Sequence, residues 1–370
     1  MPTEAVSLRR EAAGPLPRLA AERARAAAPP DAPPDLDNAQ QVACDLGPWV
    51  PLPMQGDTLT LWESLASLGA VDLTVARVAE PHLDALAILR EARRHGQVRD
   101  EDWQARSPDW SAARLWQVYA AEGGERVVAT ETAGAWTLTG TKPWCSLADR
   151  ATHALVTAWV DDDERGLFAI DLAHANVSPP ESAETGQSAA WAARGLEQVR
   201  STPVAFDRAP VTPICQPQWY LTRPGFSWGG TGVAAIWFGA SVGLARTLRA
   251  AAEQRDPDQI ALLHLGAVDT ALARARASLV EAAAVADDPD TEPGEAVLIT
   301  MRARQVVVDT AEEILQRVGH ALGPAPLTGD EDHARRVADL TVYLRQHHAE
   351  RDLSRQGEQV LGDVSGWRWW

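Results

Sequence analysis

The sequence of 370 residues predicts a mainly α protein with a central β domain. Before residue 117 and after residue 222, apolar residues recur at spacings of three and four, which is typical of amphipathic helices. Between these positions the apolar runs are short, rich in β-branched residues and separated by Gly, Asp or Pro, which is typical of strands. The expected architecture is an N-terminal helical domain, a small β-barrel-like middle domain and a C-terminal four-helix bundle.

The first 116 residues divide into two predicted parts. Residues 1–38 are rich in Ala, Arg and Pro and contain the breaker APPDAPPD, so we expect a flexible N-terminal segment with a short surface helix. Residues 39–116 are predicted to form the N-terminal helical domain, because Leu61, Leu65 and Leu68 make an apolar stripe at helical spacing.

Residues 117–222 are the predicted middle β domain, with strand-like segments such as ERVVATETAG, HALVTAWV and GLFAIDL. Residues 223–362 carry four helical patterns, at 232–254, 259–286, 294–322 and 330–361, each long enough for an antiparallel bundle. The small residues of GGTGVAAIWFG are expected to permit close helix packing, because no strand precedes them as a dinucleotide-binding motif requires. Residues 363–370 form a Trp-rich tail that either docks on a subunit or stays disordered.

Composition excludes several classes of partner. The chain has 51 acidic and 34 basic residues, and its net charge of −17 disfavours nucleic acids and anionic membranes. Three cysteines without CxxC spacing indicate neither a disulfide framework nor a structural zinc site. No export signal and no run of 18 apolar residues is found, so a cytoplasmic protein is expected.

One short segment, GTKPWCSL at 140–147, stands apart from the helical sequence around the β domain. With the order of helical domain, β domain and bundle, it resembles the acyl-CoA dehydrogenase flavoprotein superfamily, whose β domain carries Gly-x-Lys-x-Trp-Ile-Thr-Asn. The matches are Gly140, Lys142, Trp144 and Ser146. The resemblance implies that Trp144 packs on a flavin ring and that the Ser146 hydroxyl bonds near flavin N5. The alternative is that Trp144 belongs to the β-domain core.

Further positions are assigned to the cofactor by the same resemblance. The stretch VYAAEGG replaces the Tyr-Ala-Leu-Thr-Glu-Pro stretch of the family with Ala121 at the Thr, which leaves the main chain of Ala120 to Glu122 to bond the flavin pyrimidine edge. Gln316 and Gly319 match a Gln-x-x-Gly-Gly turn that supports the dinucleotide of FAD across a subunit interface. Arg255 remains from an Arg-x-x-Phe-Gly segment. The resemblance therefore implies FAD and a homodimer or homotetramer.

The catalytic position departs from the family pattern. The family places a glutamate eight residues beyond the Asp of an Arg-Asp pair, whereas eight residues beyond Asp339 stands His347. A histidine has an unperturbed pKa of about 6.5 and could serve as a base, so His347 is the catalytic candidate. If YLRQHHAERD is helical, His347 shares a face with Glu350 and Arg351, and such contacts could equally be surface ion pairs. No metal site is predicted here, since adjacent histidines on a helix point about 100° apart.

Three functions remain open from the sequence. The resemblance implies α,β-dehydrogenation of an acyl thioester, by proton abstraction and hydride transfer to flavin N5. The second is a flavin-dependent monooxygenase or oxidase of the same superfamily with a non-CoA substrate, which the missing glutamate favours. The third is a catalytically inactive scaffold with a binding role. In the first two cases the partner is a small molecule.

Overall fold

The computed structural model describes residues 4–98, 113–178, 191–254 and 256–362. The helices before the β domain in these residues are α1 (Pro15–Ala27), α2 (Leu36–Leu46), α3 (Thr58–Val71) and α4 (Leu73–Arg94). Asp35 caps α2, and Asp72 caps α4 by accepting from the N–H of Val75. Asp72 itself is extended, which separates α3 from α4.

Residues 4–38 differ from the flexible surface segment that was expected. Helix α1 packs against α3 and buries Ala20, Ala21, Ala24 and Ala27. Ahead of it, Leu8 is fully buried and its N–H donates to Oε1 of Glu63 at 2.8 Å. Alanines at spacings of three and four make a narrow apolar stripe against which another helix packs closely, a signal that the high Ala and Pro content had hidden.

The middle domain is a closed barrel, as the sequence predicted. Its strands are β1 (Trp116–Tyr119), β2 (Val128–Thr132), β3 (Ala135–Ser146), β4 (His153–Trp159), β5 (Arg165–Asp171), β6 (Val177–Ser178) and β7 (Ser201–Pro213). Strands β4, β2, β3, β7 and β5 pair in that order, and β5 pairs back on β4 to close the ring. Strand β1 runs parallel to β4, and β6 pairs with β7. Alternate residues of β7, Thr202, Val204 and Phe206, are buried, as expected for a strand with one face on a core.

The described C-terminal elements are α5 (Trp219–Thr222), α6 (Gly225–Glu253), α7 (Gln259–Ala286), α8 (Pro293–Leu322), α9 (Ala325–Gly329), α10 (Glu331–Tyr343) and α11 (Glu350–Gly362). Helix α6 packs against α3, α7 and α8. The fourth predicted bundle helix, over 330–361, is not one helix. It is divided into α10, a 3₁₀ turn at Leu344–Gln346 and α11.

Glycines allow α3 and α6 to pack closely, which confirms the prediction made for GGTGVAAIWFG. A Cβ added at Gly239 would lie 1.9 Å from the carbonyl oxygen of Ala66, and one added at Gly69 would lie 2.4 Å from that of Ile236. Helix α6 is long and apolar enough to span a membrane by composition, but 78% of its most apolar window is buried inside the fold. Helix α6 thus has the burial of a core helix.

Candidate functional site

A cavity of about 940 Å³ lies between α4, the starts of α6 and α8, and the segment that joins α10 to α11. Its wall combines apolar residues with a group of charged and imidazole side chains: Glu80, Asp84, Arg223, Arg304, His347 and Asp352. The sequence-predicted catalytic candidate, His347, therefore lines the cavity.

His347 occupies the break between α10 and α11. Its backbone is extended, with φ −86° and ψ 129°, and Ala349 takes the left-handed conformation, with φ 49°. In the first turn of α11, the Asp352 carboxylate accepts from the N–H of His348 at 2.9 Å. A carboxylate in the first turn is also favoured by the partial positive charge at the amino end of a helix, so Asp352 helps to start α11 as a new helix.

The predicted helix through YLRQHHAERD is therefore wrong. His347 does not share a helical face with Glu350 and Arg351. Its Nε2 instead lies 3.7 Å from Oδ2 of Asp352, and Nδ1 of His348 lies 3.5 Å from Oδ1 of the same carboxylate.

One ring nitrogen of His347, Nδ1, is hydrogen-bonded, whereas Nε2 lies 3.7 Å from Oδ2 of Asp352. Nδ1 accepts from the N–H of Ala349 at 3.1 Å, so the neutral ring carries its hydrogen on Nε2, toward Asp352. Burial lowers the pKa of His347 below 6.5, and Arg304 acts in the same direction while Asp352 opposes them. The neutral form is thus favoured. Because its one lone pair is used by Ala349, neutral His347 is poorly placed to take a proton from a substrate.

Two carboxylates one helical turn apart on α4 form another wall of the cavity. Glu80 pairs with Arg77 at 3.0 Å, and Asp84 lies 3.7 Å from Nη2 of Arg223. Burial raises the pKa of both carboxyls, that of Glu80 to about 7. Paired charges on a buried wall are costly and are poorly suited to contact with a hydrocarbon chain.

Two arginines complete the charged lining. Arg223 is buried and its Nη1 donates to Oε2 of Glu91 at 2.6 Å, while Glu91 also accepts from the N–H of Gly225 at 2.9 Å. Arg304 donates to the carbonyl oxygen of Gly230 and lies over the ring of Trp237, 5.1 Å from its centroid. Burial lowers the pKa of Arg304.

In the GTKPWCSL segment, Trp144 is not a core residue. It stands in β3 at an irregularity in the pairing with β7, between Lys142 and Cys145, and its backbone is left-handed, with φ 57°. Its side chain is largely accessible, with the residue 65% exposed. A left-handed backbone is unusual for an aromatic residue. It leaves an exposed indole that can stack on a planar ligand, and in this respect the segment fits a flavin ring.

Ser146 is buried and already hydrogen-bonded. Its Oγ lies 2.8 Å from Oγ of Ser201 and accepts from Nη2 of Arg77 at 3.2 Å. The same Arg77 pairs with Glu80, so hydrogen bonds connect the β3 segment to the cavity. A bond from Ser146 to a flavin has to compete with these partners.

The loop after β1 holds Ala120, Ala121 and Glu122, beyond the residues paired between β1 and β4. The Glu122 carboxylate accepts from Nζ of Lys142 at 2.8 Å and pairs with Arg165 at 3.2 Å. Lys142, which the sequence analysis gave no role, is buried in β3 and ties this loop to the strand of Trp144. The contact of the loop main chain with a flavin stays a prediction.

The residues expected at the dinucleotide end lie apart from the cavity. Gln316 and Gly319 are exposed near the end of α8, whereas the cavity is lined by residues up to Gln305 of that helix. At 1.5 Å per residue, Gln316 lies about 16 Å further along the axis. They can reach a flavin only in an assembly, which stays a prediction. Arg255 and residues 363–370 lie outside the described residues.

Sequence reasoning missed Glu80, Asp84 and Arg304. A signal for the last was available, because Arg304 interrupts the buried stripe of α8 that contains Thr300, Ala303 and Val307. A cation within such a stripe requires a polar neighbour. Within the described ranges, no three His, Cys, Asp or Glu side chains are grouped to hold a metal.

No protein-family model and no curated protein matches the sequence. Several solved structures, in contrast, are similar to this chain. One is KijD3 in complex with FMN and dTDP-3-amino-2,3,6-trideoxy-4-keto-3-methyl-D-glucose, with TM-score 0.73, 18% identity and coverage of 94% of this chain and 91% of that one. Another is indole-bound TdsC from Paenibacillus sp. A11-2, with TM-score 0.72, 17% identity and coverage of 94% and 97%. A third is butyryl-CoA dehydrogenase from Megasphaera elsdenii, with TM-score 0.68, 16% identity and 83% of each chain.

These similarities establish the fold. The chain has the fold shared by butyryl-CoA dehydrogenase, KijD3 and TdsC, as the resemblance of its sequence to acyl-CoA dehydrogenases implied.

Proposed function

We propose that this chain, which has the acyl-CoA dehydrogenase fold, is a flavin-dependent monooxygenase that acts on a polar small molecule. The observation that carries the proposal is the cavity of His347, whose wall holds paired charges and lacks a carboxylate base at the family position. The α,β-dehydrogenation implied by the sequence resemblance needs a base with a free lone pair next to an acyl chain. Neutral His347 has its lone pair engaged by Ala349.

The flavin would be held at the β3 face of the barrel. Trp144 offers an exposed ring for stacking, and the loop of Ala120, Ala121 and Glu122 is fixed to the same strand through Lys142. The reduced flavin supplies the two electrons with which one atom of O₂ enters the substrate and the other leaves as water. Gln316 and Gly319 would support FAD only in a homodimer or homotetramer, so FMN and FAD are both to be tested.

The role of His347 follows from its hydrogen bonds. With Nδ1 occupied by Ala349, Nε2 carries the hydrogen of the neutral ring, and at 3.7 Å from Oδ2 of Asp352 it has no hydrogen bond there, so it can donate to an oxygen atom of the reacting group. His347 is therefore proposed as a hydrogen-bond donor in the reaction. His347→Gln keeps a donor and is expected to retain more turnover than His347→Ala.

The proteins of similar fold include a monooxygenase and a dehydrogenase. TdsC is described as a dibenzothiophene monooxygenase, and KijD3 was crystallised with FMN and an amino sugar nucleotide. Butyryl-CoA dehydrogenase is named as a dehydrogenase. The charged groups in the cavity wall support a polar substrate, as in the KijD3 complex, rather than an acyl chain.

The proposal is tested by two measurements on protein reconstituted with FMN or FAD. Anaerobic titration with short- to long-chain acyl-CoAs is expected to leave the flavin spectrum unchanged. With NADH and a separate flavin reductase, oxygen consumption is expected to rise above the rate of the reductase alone. Bleaching by any acyl-CoA would overturn the proposal in favour of dehydrogenation, and failure to bind either flavin would favour the inactive scaffold.

The flavin site is tested with two exposed tryptophans. Trp144→Ala is expected to weaken flavin binding about tenfold, because it removes one aromatic stacking surface. Trp49→Ala removes another exposed indole, which lies just after α2, and is expected to leave flavin affinity unchanged. Equal flavin dissociation constants for the two variants, from fluorescence titration, would show that Trp144 does not contact the flavin.

A further inference from the structure

Among the described residues that line the cavity, Arg304 is an arginine without a direct salt bridge. Arg223 and Arg355 also line it, and they pair with Glu91 at 2.6 Å and Asp352 at 3.4 Å. Across the part of the chain that the structure describes, Arg304 has no carboxylate oxygen within 4.0 Å. Its hydrogen bond goes to a backbone carbonyl, that of Gly230.

The position of Arg304 is constrained by its neighbours. The guanidinium lies between the Trp237 ring and the first turns of α6, and a Cβ added at Gly230 would be only 3.2 Å from Nη1 of Arg304. A side chain at position 230 would crowd the guanidinium, so the glycine leaves the space that Arg304 occupies. A guanidinium has five N–H donors in a fixed plane, and one of them is used here. The others are available to a ligand in the cavity that Arg304 lines.

The carboxylates nearest to Arg304 do not neutralise it directly. Glu80 pairs with Arg77 at 3.0 Å, and Asp352 pairs with Arg355 and lies beside His347. Burial raises the pKa of Glu80 to about 7, so this carboxyl carries less than a full negative charge at neutral pH. Burial of an unpaired guanidinium is costly, and a bound anion would remove that cost.

The first turns of α6 form the wall of the cavity beside Arg304. Pro224, Phe226, Ser227, Trp228, Gly229 and Gly230 line the cavity there, and Arg304 donates to the carbonyl oxygen of Gly230. The Asp84 carboxylate lies beside Gly229, with Oδ1 3.1 Å from the position that a Cβ would take, and is paired with Arg223 at 3.7 Å. An oxyanion in the cavity can contact the N–H groups of Arg304 that are not used by Gly230.

From this arrangement we propose that Arg304 binds an oxyanion of the substrate, a carboxylate or a phosphate, and so selects anionic molecules for the site beside His347. The proposal rests on the cavity being the substrate site of the proposed monooxygenase. It deepens that function by assigning a class of substrate. Arg304 is the specificity residue, and His347 lies at the reacting end of the bound molecule.

The test uses inorganic phosphate as the probe and the melting temperature as the readout, so that it requires no turnover. Phosphate, compared with chloride at equal ionic strength, is expected to raise the melting temperature of the wild-type protein in a saturable way. Arg304→Gln should weaken the apparent phosphate affinity about tenfold to a hundredfold, as loss of a charged hydrogen-bonding partner does. Arg304→Lys keeps the charge without the planar fork, and its affinity should be intermediate.

Arg355→Gln is the matched control, because Arg355 also lines the cavity but is 64% exposed in its side chain and is paired with Asp352. Its phosphate affinity should change less than about twofold. Unchanged phosphate affinity in both Arg304 variants would overturn the proposal.

The same assay separates substrate from cofactor as the source of the anion. If saturation with FMN abolishes the phosphate effect, Arg304 holds the flavin phosphate and the substrate proposal is overturned. If the effect persists with FMN bound, the oxyanion belongs to the substrate. Because phosphate binding is measured without turnover, it can succeed even where the oxygen-consumption test of the monooxygenase fails.

Discussion

The buried pair of Glu91 and Arg223 should contribute much more to stability than an exposed pair of the same kind. The side chains of Arg223 and Glu91 are 2% and 8% exposed and 2.6 Å apart, and Glu91 also accepts from the N–H of Gly225. Glu91→Ala leaves Arg223 with Asp84 at 3.7 Å and leaves that N–H without its acceptor. Loss of one partner of a buried pair costs about 3–5 kcal/mol. At about 2 °C per kcal/mol for a chain of this size, the melting temperature should fall by about 6–10 °C.

The matched comparison is Glu253→Ala. Arg249 and Glu253 are 2.8 Å apart, but their side chains are 72% and 61% exposed. Water already solvates both charges, so the loss should be at most about 1 kcal/mol. Calorimetry and urea unfolding of both variants provide the measurement. Equal losses for Glu91→Ala and Glu253→Ala would refute the reasoning that burial, not distance, sets the strength of the pair.

Two further predictions concern packing and pH. Gly239→Ala places a Cβ 1.9 Å from the Ala66 carbonyl oxygen and should destabilise the protein by about 1–3 kcal/mol or more. Gly266→Ala has no atom within 4 Å of its added Cβ and should stabilise the protein by about 0.5–1 kcal/mol. Similar changes in the free energy of unfolding for the two variants, measured by urea unfolding, would contradict this prediction. Burial raises the pKa of Asp339 from 3.8 to about 7, so the folded state holds this proton more tightly and stability should fall as pH rises from about 4 to about 7. Asp339→Asn keeps an acceptor for the N–H of Leu196 and should reduce the difference in melting temperature between about pH 5 and about pH 8, while the exposed Asp207→Asn should not.

The sequence predicted the order of the helices and strands better than it predicted the contacts between them. Period-two and period-three-to-four patterns distinguish strands from helices, so the barrel and the long helices α6, α7 and α8 were found. The count of eight from Asp339 leads to His347, which lines the cavity, and its catalytic role stays a prediction.

The features of the site that the sequence did not predict depend on tertiary contacts. Nothing in YLRQHHAERD shows that Asp352 begins a new helix, since a capping carboxylate and an ordinary surface carboxylate look alike in sequence. Glu80 and Asp84 lie on α4, whereas Arg304 lies on α8, on the far side of the β domain in the chain. Their convergence on one cavity therefore depends on how the helices pack. The alanine stripe of α1 was interpreted by composition rather than by period, and its burial was missed for that reason.

The break that holds His347 has a consequence for the evolution of the fold. Its extended backbone lies between two helices that end and begin through other residues, Leu344 in the 3₁₀ turn and Asp352 in α11. A substitution at this position changes the chemistry presented to the cavity and removes one side-chain hydrogen bond at the start of α11, the one that Nδ1 accepts from the N–H of Ala349. A position of this kind lets the functional group that faces a cavity vary while the fold is kept.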